Sequence, residues 1–371
     1  MFQSSYESDY ICWCHYPFTG MVTPLPGSLD HRYHGYLYFP VFPVDGLYPT
    51  SKMAGISPIL ILNILVPAVQ DRSMARISYL FPSLRQPRGT FRGGLLPRFE
   101  EAVLHGCRYI EIPASFIRSR GEEKETGISV CGMLTRDAIE KLYSHSETIP
   151  EGLEYIFHTD PSLSQVGADG VRQPPADLRW HDASWLQQFS EMLIYISERL
   201  GAPASIIEIH PGSNQSVSMK DIALAMRTLR QTYGDYFGGR PPGVVLENRN
   251  MSIAEDGQQL REFWTALQQH TPELCGDCGI VLDLSVLFNA ARRRGDAFED
   301  YLNAVPVEGI MGVHVHTRHH APSPEDAIPW ETAFAKVAGI PHDFFVNPEI
   351  HQQSQVRETI AFCKGYLGEG E

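Results

Sequence analysis

From Met74 onward, the 371-residue chain alternates short apolar runs with segments whose apolar residues recur at helical spacing. The runs span residues 77–81, 109–112, 155–157, 206–209, 244–246, 280–282, 311–315 and 344–346. Between them the clearest helical pattern is Trp185, Phe189, Met192, Leu193, Ile196 and Leu200, which fall on one face of a helix. Three pairs match the spacing of a capping box: Ser184 with Gln187, Ser218 with Asp221, and Ser252 with Glu255. Each predicts a helix start. Eight alternations of a buried strand with an amphipathic helix in about 300 residues predict an α/β protein, a closed (β/α)8 TIM barrel over residues 74–371. An open doubly wound sheet is the alternative for the same pattern.

Residues 1–73 have a different texture. They hold seven Tyr, three bases (Arg32, Lys52 and Arg72), five acids and no helical period, and are expected to be an extension outside the barrel. Cys12 and Cys14 there have no nearby partners to complete a metal site. The most apolar stretch, residues 56–69, is interrupted by Pro58, Asn63 and Pro67, too short and broken to span a membrane. Seven irregularly spaced Cys and no charged-then-apolar leader predict a reducing, cytoplasmic setting and no disulfide scaffold. The formal charge of −14 excludes indiscriminate nucleic-acid binding but leaves room for a local basic face. Between Arg76 and Phe99 there are five Arg and no acid, and Arg85, Arg88 and Arg92 fall in the loop after the first predicted strand. These three are the candidate phosphate contacts, followed on the same mouth by Arg118, Arg120 and the run Arg292 to Arg294.

The chemistry gathers at strand ends. The third to eighth predicted strands run into His158, His210, Glu247, Asp283, His314 and Glu349, separated by 52, 37, 36, 31 and 35 residues. A barrel brings all six to one mouth, the face on which barrel enzymes place their active sites. Three imidazoles and three carboxylates without a thiolate suit zinc, manganese or iron. One such residue alone is ordinarily a loop hydrogen bonder or a helix cap; six in step predict a metal site, because buried carboxylates crowded together need cations to offset their repulsion. By contrast, Cys275-Gly276-Asp277-Cys278 reads as a turn at the opposite end of the barrel, and His319-His320 fits a ligand, a phosphate contact or a solvated loop equally.

The local words around these positions, Phe157-His158-Thr159-Asp160, His210-Pro211-Gly212-Ser213, Leu246-Glu247-Asn248, Leu282-Asp283, Gly312-Val313-His314 and Pro348-Glu349, resemble the metal motifs of endonuclease IV (AP endonuclease family 2), within the xylose-isomerase-like barrel superfamily. The resemblance spans about residues 76–366. It implies one metal on His158, His210 and Glu247, and a second on Glu247, Asp283, His314 and Glu349, with Glu247 bridging. Two Zn are expected, with Mn as the alternative. The family's third metal would use Asp-x-x-His after the sixth strand and Asp-x-His after the seventh. Here Val286 and Thr317 replace two of those ligands, leaving His319 as a remnant, and a lone His does not hold zinc.

The activity so implied is hydrolysis of phosphodiester bonds at abasic or damaged sites in DNA by a monomeric enzyme, with Glu247 and Glu349 in the catalytic positions. A sugar isomerase or epimerase of the same superfamily is the alternative. It would use a single metal on Glu247, Asp283, His314 and Glu349 and a small sugar substrate, and would have no need of His158 or His210. A non-catalytic barrel with a structural metal is a third reading, disfavoured by ligands that face an open mouth.

Overall fold

The computed structural model describes residues 75–82, 96–114, 136–143, 149–159, 164–166, 172–175, 178–212 and 217–368. The predicted extension, Arg85, Arg88, Arg92, Arg118 and Arg120 lie outside the described residues. Eight parallel strands form the closed barrel: β1 (Ile77–Phe81), β2 (Tyr109–Pro113), β3 (Glu154–His158), β6 (Ile206–Ile209), β7 (Gly243–Glu247), β8 (Cys278–Asp283), β9 (Ile310–His314) and β10 (Phe344–Asn347). Closure is made where β1 pairs with β10, Ile77 beside Phe344 and Tyr79 beside Val346. The barrel is therefore not an open sheet, and all eight predicted runs are its strands. A short antiparallel hairpin, β4 (Ser164–Val166) and β5 (Arg172–Pro175), is inserted between β3 and β6 and was not foreseen.

The helices are α1 (Leu96–Leu104), α2 (Arg136–Leu142), α3 (Ala183–Leu200), α4 (Met219–Tyr236), α5 (Gly257–His270), α6 (Leu284–Arg294), α7 (Phe298–Ala304), α8 (Trp330–Val337) and α9 (Val356–Leu367). Helix α4 starts on the expected box of Ser218 and Asp221. The other two predicted starts need correction. Helix α3 is capped by Asp182, whose carboxylate accepts from the amides of Ser184 (2.9 Å) and Trp185 (3.1 Å). Helix α5 is capped by a box of Asp256 with Gln259, while Ser252 spends its hydroxyl in a turn, donating to the Arg249 carbonyl at 2.8 Å. Among the described residues, no helix is long and apolar enough to cross a membrane.

Successive strand residues point to opposite faces, so every second residue enters the barrel. The outward set packs against the helices in one large apolar core. The inward set forms a separate cluster of Leu80, Ile156, Val245, Val281 and Phe345 across the lumen. Gly312 completes that layer, because a Cβ there would lie 2.2 Å from the Phe345 ring. Two residues further toward the C-terminal end from Ile156, Val245, Val281, Gly312 and Phe345 come His158, Glu247, Asp283, His314 and Asn347. The lumen floor is apolar and its ceiling is mostly ionisable.

Candidate metal centre

The structure brings all six predicted residues together at the C-terminal mouth. Glu247, at the end of β7, is the hub: its Oε2 lies 2.7 Å from His210 Nε2 and 3.2 Å from His158 Nε2, and its Oε1 lies 3.4 Å from His314 Nδ1. His314 Nδ1 faces Glu349 Oε2 at 3.3 Å. Two ligand sets share Glu247: His158, His210 and Glu247, and Glu247, Asp283, His314 and Glu349, each with donor atoms within 4.8 Å of one another.

Local structure aims these side chains. His210 follows β6 and its carbonyl accepts from Trp180 Nε1 at 2.8 Å, while the chain turns sharply at Gly212, where φ is 77° and a Cβ would lie 2.9 Å from Leu178 Cβ. Only glycine fits that approach in that conformation. Asp283 ends β8 and caps α6, one carboxylate oxygen accepting from the Val286 amide at 2.9 Å. Its other oxygen, Oδ2, lies 3.2 Å from His316 Nε2 at the mouth. The Asn248 side chain brackets the Asp283 peptide, accepting from its amide at 2.7 Å and donating to its carbonyl at 3.1 Å. The Glu-Asn pair after β7 thus supplies a hub ligand and a brace for the next strand.

A second polar layer lies beneath, which sequence reasoning missed. Glu111 Oε1 accepts from His158 Nδ1 at 2.7 Å and Glu111 Oε2 accepts from Asn347 Nδ2 at 3.1 Å. Glu208 Oε1 lies 3.3 Å from His314 Nε2 and 3.4 Å from His158 Nε2. Carboxylates behind metal-binding imidazoles fix ring orientation and raise ligand basicity. For two of these residues a signal was present, since each sits two places before a ligand in its own strand, as in Glu208-x-His210 and Asn347-x-Glu349; Glu111 carried no such signal, because β2 has no ligand.

The electrostatics follow from burial and crowding. Burial disfavours the charged forms of His158 and His314, but Glu111 and Glu208 around the first, and Glu208 and Glu247 around the second, hold both pKa values well above the ordinary imidazole range. Burial would raise Glu247, yet His210 and His314 hold it well below the usual carboxylate range. Burial likewise opposes ionisation of Glu349, outweighed by hydrogen bonds from His314 and His316. Glu208 is pushed up to about 7 by burial, against the pull of His314 and His158.

This donor set fits divalent cations. Among the described residues, His314 Nδ1 is buried without a hydrogen-bond partner in good geometry, 3.4 Å from Glu247 Oε1 and 3.3 Å from Glu349 Oε2. A divalent cation between that nitrogen and the two carboxylates would satisfy all three. Charge balance points the same way. Glu111, Glu208, Glu247, Asp283 and Glu349 crowd one mouth, and divalent cations would offset the repulsion among their carboxylates.

A third cluster, His316, His319 and Glu349, brings a second imidazole to the place where only His319 was expected. His319 stands at the rim, its side chain 40% exposed. Thr317 does not face this cluster; it donates to Asp326 Oδ2 at 2.5 Å. Of the Arg292 to Arg294 run, Arg293 and Arg294 are engaged with Glu255 and Asp256 in ion pairs beside α5. Those two guanidiniums brace helices. Cys275 lies in the turn before β8, and Cys278 opens that strand at the end remote from the mouth, as expected.

No protein family model matches this chain, and no curated protein matches it. Among solved structures it is similar to D-psicose 3-epimerase from Clostridium cellulolyticum H10 (11% identity, TM-score 0.45, covering 79% of this chain and 99% of that one). It is similar to an AP endonuclease, family 2, from Brucella melitensis (10% identity, TM-score 0.44, 79% and 99%). It is also similar to 3-keto-D-glucoside 4-epimerase from E. coli (13% identity, TM-score 0.43, 78% and 99%). The likeness is divided between two reaction classes and favours neither.

Proposed function

We propose that this barrel is a dinuclear metal-dependent phosphodiesterase of the endonuclease IV type, acting on DNA at abasic or damaged sites. The carrying observation is the convergence of His158 and His210 on Glu247 Oε2, at 3.2 and 2.7 Å, beside the four-residue set that shares Glu247. A single-metal isomerase has no use for those imidazoles. Two divalent cations held there would activate water at neutral pH and stabilise the attacking and leaving oxygens of a phosphodiester. The chain's own part is positional. Glu111 orients His158, Glu208 lies behind His314, and Asn248 and the α6 cap hold Asp283. His319, at the rim, would be the imidazole nearest an incoming substrate.

The alternative, a sugar isomerase or epimerase, draws on the set Glu247, Asp283, His314 and Glu349, whose two glutamates could move protons on either side of a carbonyl. The zinc-loaded protein is expected to carry two metals per chain and to nick abasic-site DNA. His158→Ala should reduce the content to one and abolish nicking. One metal in the wild type, with interconversion of a ketose that survives His158→Ala, would refute the hydrolase reading.

A further inference from the structure

Among the described residues the large apolar side chains that stand exposed are Val103, Leu104, Tyr236, Met251 and Tyr366. Four of them lie in the last turns of α1, α4 and α9, at the end of the barrel remote from the mouth. Met251 does not. It is 82% exposed and sits in the connection from β7 to α5, on the mouth side, four residues beyond the hub Glu247.

Its backbone is held at φ of 58°, the left-handed region that a residue with a long side chain rarely adopts. The surrounding turn imposes this. The Arg249 amide donates to the Ala254 carbonyl at 2.9 Å, and the Ser252 hydroxyl donates to the Arg249 carbonyl at 2.8 Å while accepting from the Ala254 amide at 3.2 Å. The Met251 amide donates to Glu255 Oε1. That buried carboxylate is held in turn by Arg293, and by Arg294 at 3.0 Å, and Arg293 also reaches Asn250 Oδ1 at 3.5 Å. The ion pairs beside α5 therefore fix this turn as well as the helices.

Two costs meet at one residue, an apolar side chain in water and a disfavoured backbone. Folding requires neither, because glycine adopts this conformation without steric penalty and a polar side chain would be at home in solvent. A strained residue over-determined by its surroundings, at the mouth of a site, points to a contact with something that binds there. Four residues of chain span at most about 14 Å, or about four base steps of a duplex at roughly 3.4 Å each. A duplex with a phosphodiester at the shared centre extends as far as Met251; a small sugar held among the carboxylates does not.

We propose that Met251 is a substrate-contacting residue whose side chain wedges against the stacked bases of a DNA duplex beside the abasic or damaged site. The inference rests on the phosphodiesterase reading above. Methionine is among the apolar side chains that proteins insert between base steps, and its polarisable sulfur suits an aromatic face. Where a base is already missing the stack parts at lower cost, so the wedge favours damaged over intact duplex.

The test uses the full zinc-loaded chain and abasic-site duplexes with 2-aminopurine, a base that brightens on unstacking, at each position within four steps of the lesion. Stopped-flow mixing separates binding from cleavage. With wild type the probe should brighten on binding at one position or more. Met251→Gly keeps the left-handed turn and removes the side chain; it should retain its metals, lose the brightening and bind the duplex about tenfold to a hundredfold more weakly, the equivalent of a methionine left unburied. Met251→Leu should restore both, and Met251→Ser repeats the comparison if glycine loosens the turn. No brightening with wild type, or wild-type affinity in the glycine and serine variants, would overturn the wedge. A metal-loaded wild type that neither binds nor nicks abasic duplex overturns the phosphodiesterase reading and the wedge with it, whereas nicking that is indifferent to Met251 overturns the wedge alone.

Discussion

Loading the metal-free protein is expected to expel at least two protons per chain near neutral pH. Without metal, His158 and His314 are held in their charged forms by buried carboxylates: Glu111 at 2.7 Å and Glu208 at 3.4 Å from the first, Glu208 at 3.3 Å and Glu247 at 3.4 Å from the second. A metal takes only the neutral ring, so each imidazole must shed its proton on binding. Every proton so released changes the apparent affinity about tenfold per pH unit. Two protons make it about a hundredfold, with affinity falling as pH falls. Titration calorimetry in buffers of different ionisation enthalpy counts the protons directly. Glu111→Gln removes the partner 2.7 Å from His158 and should lower the count by about one, which assigns the proton to that ring. Release of fewer than one proton, or an affinity that is flat between about pH 6 and 8, would show that the imidazoles are neutral before metal arrives, and the charge network described here would be wrong.

The same groups set the stability of the metal-free protein. His158 and His314 are raised above 6.5, so their contribution is complete below that pH and is lost as pH climbs through their folded values; Glu247 and Glu349 are depressed below 4.5, so theirs is present above that pH and is lost as pH falls. Urea midpoints should therefore peak between the two and decline toward alkaline pH, and a steady rise to pH 8 or so without metal would contradict this. Gly312→Ala forces a Cβ within 2.2 Å of the Phe345 ring and should cost about 1–3 kcal/mol of stability, read by thermal melting; an unchanged midpoint would mean that the lumen plug is loosely packed.

The barrel was legible because parallel strands are buried on both faces and therefore read as near-continuous apolar runs, such as Ile280-Val281-Leu282 in β8. The β4–β5 hairpin carries no such run: Ser164–Val166 is three residues, and Arg172–Pro175 ends in two prolines. Helix starts were legible only to within a turn, since several short polar residues compete near each one. At α3 the Asp182 carboxylate accepts from two amides where a Ser184 hydroxyl would have taken one, and at α5 Ser252 was already committed to a tighter turn.

The six mouth residues stood out because each follows an apolar run at an interval of about one strand–helix unit. The layer that holds them did not, because Glu111 and Glu208 sit inside the runs Tyr109–Pro113 and Ile206–Ile209, where an isolated acid looks like an exception in an apolar strand. Period two resolves the exception. Glu208 is two before His210, Asn347 two before Glu349, and His316 two after His314, so each shares a ligand's direction into the lumen. Buried charge is expensive in any strand, and it is tolerable at these parities because the neighbouring residue on the same side is one with which it can share a proton or a cation. A strand that ends in a metal-binding side chain should therefore be read two residues in each direction before its acids and amides are assigned to packing.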